Sequence, residues 1–144
     1  MLKDLKFQKQ LTSKDILQIN PLNLAFIGDA VWTLLVRDYF CENTMYKNNF
    51  LHKLTTKFVK ATYQSKALGI LGDVLLDDEK EIARRARNTK INTASKNASL
   101  CEYKKATSFE AIIGYLFLLE KFERIKFLFD YLSKNFLEKN WYDY

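Results

Sequence analysis

The chain has 144 residues, with 48% hydrophobic and 15% aromatic content, one proline and four glycines. That is the profile of one compact helical unit with a real core, and it excludes disordered and collagen-like classes. The net charge of +6 and sequence pI of about 9.2 favour a polyanionic partner.

Other broad classes are weakened by single residue types. Cys41 and Cys101 form no CxxC or metal-ligand spacing, so they read as reduced thiols of a cytoplasmic protein. The single histidine, His52, argues against a histidine-rich metal centre. No secretory leader pattern is visible, and no apolar run is long enough to span a bilayer, so no membrane association is expected.

In chain order, residues 1–19 read as a polar lead-in with a short helix at Ser13–Leu17. Asn20-Pro21 is a helix start signal, a side-chain cap followed by a residue whose fixed φ suits the first turn. The helix it opens, Pro21 to about Cys41, carries one charge in Leu22–Val36, at Asp29. Leu24, Ile27, Val31, Leu34 and Leu35 recur at helical spacing, and Ala25, Phe26, Val36 and Phe40 make the opposite side apolar as well. The pattern predicts a helix buried nearly all round. Gly28 removes a side chain next to Asp29, as expected where another backbone or a ligand approaches closely.

A turn at Glu42–Asn49 leads to a second helix over Phe50–Leu71, ended by Gly72-Asp73. Asp77-Asp78-Glu79 then places acids in the first turn of a third helix running to Arg87, where they suit the macrodipole. Asn88–Leu100 lacks a period and reads as a functional loop. A fourth helix opens at Tyr103 or Ala106, and a fifth covers Glu123–Glu138 before an aromatic tail over 139–144. No strand pattern appears. The expected fold is all-α, a single helical domain over 1–144 with antiparallel neighbours.

Two features of this pattern carry chemistry. Glu110 is the lone charge from Ala106 through Leu119, with Gly114 one turn later. Two nearly apolar helices thus each hold one acid beside a glycine. If they pack together, Asp29 and Glu110 converge, and paired carboxylates call for a proton or a cation between them. Mg²⁺, a hard ion that takes oxygen ligands and retains waters, is the expected cofactor. The second feature is a basic stretch in which Arg84, Arg85, Arg87, Lys90, Lys96, Lys104 and Lys105 face a single acid, Glu102. Asn and Thr/Ser side chains, Asn97 among them, are interspersed. Such groups neutralise and hydrogen-bond phosphates. With Tyr103 the one aromatic in the stretch, backbone recognition of a duplex fits better than stacking on single strands. A metal site beside a phosphate-binding surface implies phosphodiester hydrolysis.

These residues also resemble a known family. AFIGDAVW (25–32) is similar to the signature helix of the ribonuclease III catalytic domain, and FEAIIGYLFL (109–118) to its second acidic helix. The likeness extends through LHKLTTKFVKATYQSKAL, RRARNTK and the TASKN loop, and it points to Mini-ribonuclease III, the small bacterial branch without a double-stranded-RNA-binding domain. The resemblance implies an all-helical homodimer that cleaves both strands of double-stranded RNA with Mg²⁺. It implies Asp29 and Glu110 as catalytic and metal-holding acids. It implies Arg84, Arg85, Arg87, Lys90, Lys96 and Asn97 as RNA-binding residues. The implied substrate is precursor large-subunit (23S) ribosomal RNA. Two further acids of the full-length enzymes would fall at Ala25 and Thr107 and are absent here, as in the small branch.

Without an appended RNA-binding domain, affinity must come from the chain's own basic surface. That suggests dependence on a particular RNA shape or on a helper such as a ribosomal protein. The competing expectation is a non-catalytic double-stranded-RNA-binding module in ribosome assembly. A helical interaction scaffold without salt-dependent RNA binding comes third.

Overall fold

A computed structural model describes residues 11–90 and 99–134. Every regular element among them is a helix: α1 (Ser13–Ile16), α2 (Pro21–Asn43), α3 (Asn48–Val59), α4 (Ala61–Leu71), α5 (Asp77–Asn88), α6 (Leu100–Leu118) and α7 (Phe122–Ser133). The all-α expectation therefore holds. No helix among the described residues is long and apolar enough to cross a membrane.

The helix ends follow local chemistry. Thr12 and Asp15 form a reciprocal capping box on α1, which pins the lead-in. Asn20 accepts from the Leu22 amide and Pro21 opens α2. Ser99 accepts from the Glu102 amide, so α6 begins at Leu100, earlier than the periodicity alone suggests.

α6 is the axis of the molecule. From Ala106 to Leu118 nearly every residue is buried, with α2, α4 and α5 packed around it. α2 turns Leu24, Gly28, Trp32, Val36 and Phe40 inward, a row spaced by four residues. The closest approach is backbone on backbone. A Cβ placed at Gly28 would lie 1.7 Å from the Glu110 carbonyl oxygen, and one at Gly114 would lie 1.9 Å from that of Leu24. Each glycine therefore makes room for a peptide group of the facing helix.

Trp32 ties α2 to four other helices. Its ring meets Phe109 edge-on at 4.9 Å between centroids, Phe129 at 5.2 Å, and Tyr63 at 6.5 Å. Its indole N–H donates to the Phe58 carbonyl at 2.8 Å. That bond accompanies the first departure from the sequence reading. The Phe50–Leu71 helix is broken at Lys60, which is extended at φ −76°, ψ 155° and ends α3 as it begins α4. Neither Gly nor Pro marks the break. The Trp32 indole instead occupies a carbonyl of the last turn of α3.

The second departure concerns α2. It is not buried all round: Phe26 is 82% exposed, Leu34 57%, and Asp29 and Ala30 are open to solvent. The Leu24–Phe40 row and Ala25 are buried, and Ile27, Val31, Leu35 and Tyr39 pack partly covered at the edges of the core. An apolar face left outside the core has the same sequence pattern as one inside it. Gly28 is likewise not available to a subunit interface, because α6 covers it.

The third departure is at the start of α5. Glu79 does not merely complement the macrodipole. It is fully buried, pairs with Arg124 of α7 at 2.6 Å, and accepts from the Leu76 amide. Arg124 also donates to the Val74 carbonyl. Asp78 accepts from the Tyr115 hydroxyl at 2.9 Å.

Candidate active site

Because Gly28 rests on the peptide of Glu110, the next residue of α2, Asp29, stands beside the Glu110 side chain. Both line one pocket of about 560 Å³, walled by α2, α6 and the α3–α4 junction, with Ala25, Gln64, Lys90, Tyr103 and Thr107 among its other residues. The two lone acids of the sequence are thus brought together, Asp29 from the open side and Glu110 from a largely covered one.

The electrostatics follow from that arrangement. Burial first, and then the negative charge and hydrogen bond of Asp29, push the Glu110 carboxyl from its usual range up to about 8. Gln64 opposes the shift: its side chain is near enough to favour the charged carboxylate. Its amide nitrogen nonetheless has no hydrogen-bond partner at bonding geometry, although the residue is only 2% exposed. At neutral pH the pair therefore holds a proton that a cation would displace.

The donor set fits a hard divalent cation. It offers two convergent carboxylates and room for water, and no third His, Cys, Asp or Glu joins them among the described residues. Such an ion would be held by Asp29 and Glu110, with water completing its shell. Ala25 and Thr107, where the larger enzymes resembled here carry further acids, face the same pocket. The Thr107 hydroxyl is turned to the Tyr103 carbonyl, 2.9 Å away.

The basic stretch is distributed rather than gathered. Lys90 reaches the carboxylate pocket. Arg84 and Arg87, with Lys80, line a separate groove of about 220 Å³ between α4, α5 and Ser108 of α6. Arg84 also pairs with Glu81 at 2.6 Å on the surface. Arg85 is half-buried and donates to the Leu17 carbonyl at 2.9 Å, a bond that holds α1 against α5. Lys104 is partly covered and Lys105 exposed. Lys96 and Asn97, with most of the loop, lie outside the described residues.

Gln64 escaped the sequence reading. One continuous helix over Phe50–Leu71 would carry a single phase through residue 64. The break at Lys60 resets the phase, so that Gln64, Ala67 and Leu71 turn inward. A polar residue three before Ala67 and seven before Leu71 is the signal that could have found it.

Comparison with known proteins bears on the same segments. The Ribonuclease III domain model matches residues 22–121, from the start of α2 to just past the end of α6. A Mini-ribonuclease 3 of Thermoanaerobacter sp. is 46% identical over 116 residues, 81% of this chain and 82% of that protein. One from Clostridium tetani is 44% identical over 119 residues, 82% and 79% of the two chains. The crystal structure of a Fusobacterium nucleatum protein superposes with a TM-score of 0.78 at 38% identity, covering 85% of this chain and 98% of the other. With both acid-bearing helices inside the matched region and the fold shared, the chain belongs to the ribonuclease III family, in its Mini-ribonuclease 3 branch.

Proposed function

We propose that this ribonuclease III-type endoribonuclease cleaves double-stranded RNA with Mg²⁺ held by Asp29 and Glu110, and matures precursor 23S ribosomal RNA in the cytoplasm. The observation that carries the reading is the facing of two carboxylates in one pocket, whose lining among the described residues holds one cationic side chain, Lys90. A bound Mg²⁺ supplies charge for the phosphate and lowers the pKa of a coordinated water. The chain's part is to place that chemistry. Asp29, on the open side, faces the phosphate and orients the attacking water. Glu110, anchored through its own peptide against Gly28, fixes the second carboxylate. Lys90 neutralises a neighbouring phosphate, and Arg84, Arg87 and Lys105 add backbone affinity along the duplex.

The reading includes a homodimer. One pocket cuts one strand, and a two-fold pair of pockets suits the pseudo-two-fold symmetry of a duplex. The open α2 face of Phe26, Ala30 and Leu34 supports this. It is apolar, and Phe26 belongs to the pocket wall as well. Affinity then rests on the chain's own basic residues, and choice of substrate on RNA shape or on a ribosomal protein that presents it.

The test is incubation of the purified chain with long duplex RNA and with precursor ribosomal RNA, with and without Mg²⁺. Cleavage that needs Mg²⁺ and vanishes in Asp29→Asn and Glu110→Gln supports the reading. Duplex binding without any product in Mg²⁺ would leave an RNA-binding module in its place.

A further inference from the structure

Gln64 is, with Tyr103 and Thr107, a polar residue of the pocket that the preceding mechanism does not use. It sits on α4, one turn past the Lys60 break, and its side chain is sealed from solvent while lining the same cavity as Asp29 and Glu110. Its amide nitrogen is one of only three buried side-chain polar atoms without a partner among the described residues. Buried donors are nearly always satisfied, so an orphan aimed into a pocket marks an acceptor that arrives with the working state. Glu110 lines the same pocket and offers such an acceptor, and Gln64 already favours its charged form.

We infer that Gln64 is a positioning residue: its amide N–H donates to the Glu110 carboxylate when a divalent cation is bound, and so selects the oxygen that faces the ion. This rests on the reading of Asp29 and Glu110 as the cation-holding pair. The chemistry is that of a metal-binding carboxylate steadied by a donor behind it. Glu110 needs such a donor. Its side chain meets negative charge on the Asp29 side and is otherwise held by its backbone. Lys90, the one cation of the pocket wall among the described residues, is exposed and left for the substrate. The Lys60 break gives the arrangement its geometry: had α3 continued straight into α4, Gln64 would fall on a different phase of the helix.

The experiment is a Mn²⁺ titration of the intact chain, followed by electron paramagnetic resonance, for the wild type, Gln64→Met, Gln64→Asn and Asp29→Asn. Mn²⁺ serves as the probe because it shares the oxygen-ligand preference of Mg²⁺. Gln64→Met keeps length and volume but removes the donor, and is expected to weaken Mn²⁺ binding about tenfold or more. Gln64→Asn keeps the amide one methylene short and is expected to show the same loss, which guards against a packing defect peculiar to Met. Duplex-RNA affinity in EDTA should stay at the wild-type value for both, and raised Mg²⁺ should restore most of the cleavage rate. Unchanged Mn²⁺ affinity in both variants overturns the inference while leaving the cation pair intact. Lost RNA affinity in EDTA also overturns it, and assigns the amide to a phosphate oxygen instead. A wild type that binds no Mn²⁺ overturns the cation reading itself, and the inference with it.

Discussion

Glu79 and Glu110 are the same residue type on neighbouring helices, each turned in from the surface, yet the molecule treats them in opposite ways. Glu79 is met by the Arg124 guanidinium at 2.6 Å and by the Leu76 amide, with the Val74 carbonyl completing the arginine's bonds. Glu110 is met by a second acid and by an amide that stops short of a hydrogen bond. Both arrangements remove a carboxylate from water, which is costly unless something compensates. At Glu79 the compensation is built into the chain and locks α5 to α7. At Glu110 it is left open to a ligand. A buried acid is a structural part when its counter-ion is covalently present, and a candidate site when the counter-ion must be recruited.

The sharpest way to break the comparison is to neutralise the recruited end. Asp29→Asn and Glu110→Gln are each expected to lower the cleavage rate about a hundredfold or more, with the circular dichroism spectrum unchanged. Several kcal/mol of transition-state stabilisation is at stake, and each 1.36 kcal/mol is tenfold in rate. If Glu110→Gln instead unfolds the protein, the acid belongs with Glu79 as a structural part.

Arg124→Met should do the reverse. It strands Glu79 without its cation and is expected to cost about 3–5 kcal/mol in denaturant unfolding. At temperatures where the variant stays folded, Mn²⁺ affinity should be unaltered. A comparable loss of Mn²⁺ binding would mean the two acids are not independent.

Gly28→Ala tests what holds the recruited pair in place. Its methyl would collide with the Glu110 carbonyl, which is main chain and cannot swing away. A stability loss of at least about 1–3 kcal/mol is expected, together with reduced activity, since spreading α2 from α6 separates the acids. Gly69→Ala is the control, because nothing lies within 4 Å of a Cβ at that position. It should keep wild-type activity and raise stability by up to about 1 kcal/mol, because alanine is the better helix former.

The smallest effect is on pH dependence. A carboxyl whose folded pKa is raised from 4.5 to about 8 is protonated in the folded chain over a range where the unfolded chain has released the proton. Without divalent cation, stability should therefore fall as pH rises from about 4.5 through about 8, and stay at its lowered value above that. After solvent screening at a partly exposed group, about 1–2 kcal/mol is expected in the unfolding free energy. Glu110→Gln should remove this slope and raise the melting temperature at pH 9, and Mg²⁺ should flatten the slope in the wild type. A wild-type curve equally flat without Mg²⁺ would show that Glu110 is compensated internally after all.

How much of this could be read from the sequence depended on context. Asp29 and Glu110 were legible because each stands alone in an apolar helix, and Gly28 and Gly114 because a glycine inside such a helix needs a reason. Glu79 was not, because in Asp77-Asp78-Glu79 nothing local shows which acid turns inward, and Arg124 lies far along the chain. The break at Lys60 carries no glycine or proline, since a tertiary bond from Trp32 accompanies it, and Gln64 stayed hidden behind the wrong phase. The open side of α2 was misread as core, because an apolar face is written alike whether its cover is part of the same chain or not.

The reciprocal fit of Gly28 on Glu110 and Gly114 on Leu24 has one more consequence. Where α2 crosses α6, the two helices rest on peptide groups, which have no rotamers to change. The separation of the two backbones that carry Asp29 and Glu110 is then set by main-chain contact rather than by the packing of the rings around Trp32. Ordinary drift among core side chains can alter how firmly the molecule is held together while leaving the spacing of those two backbones alone.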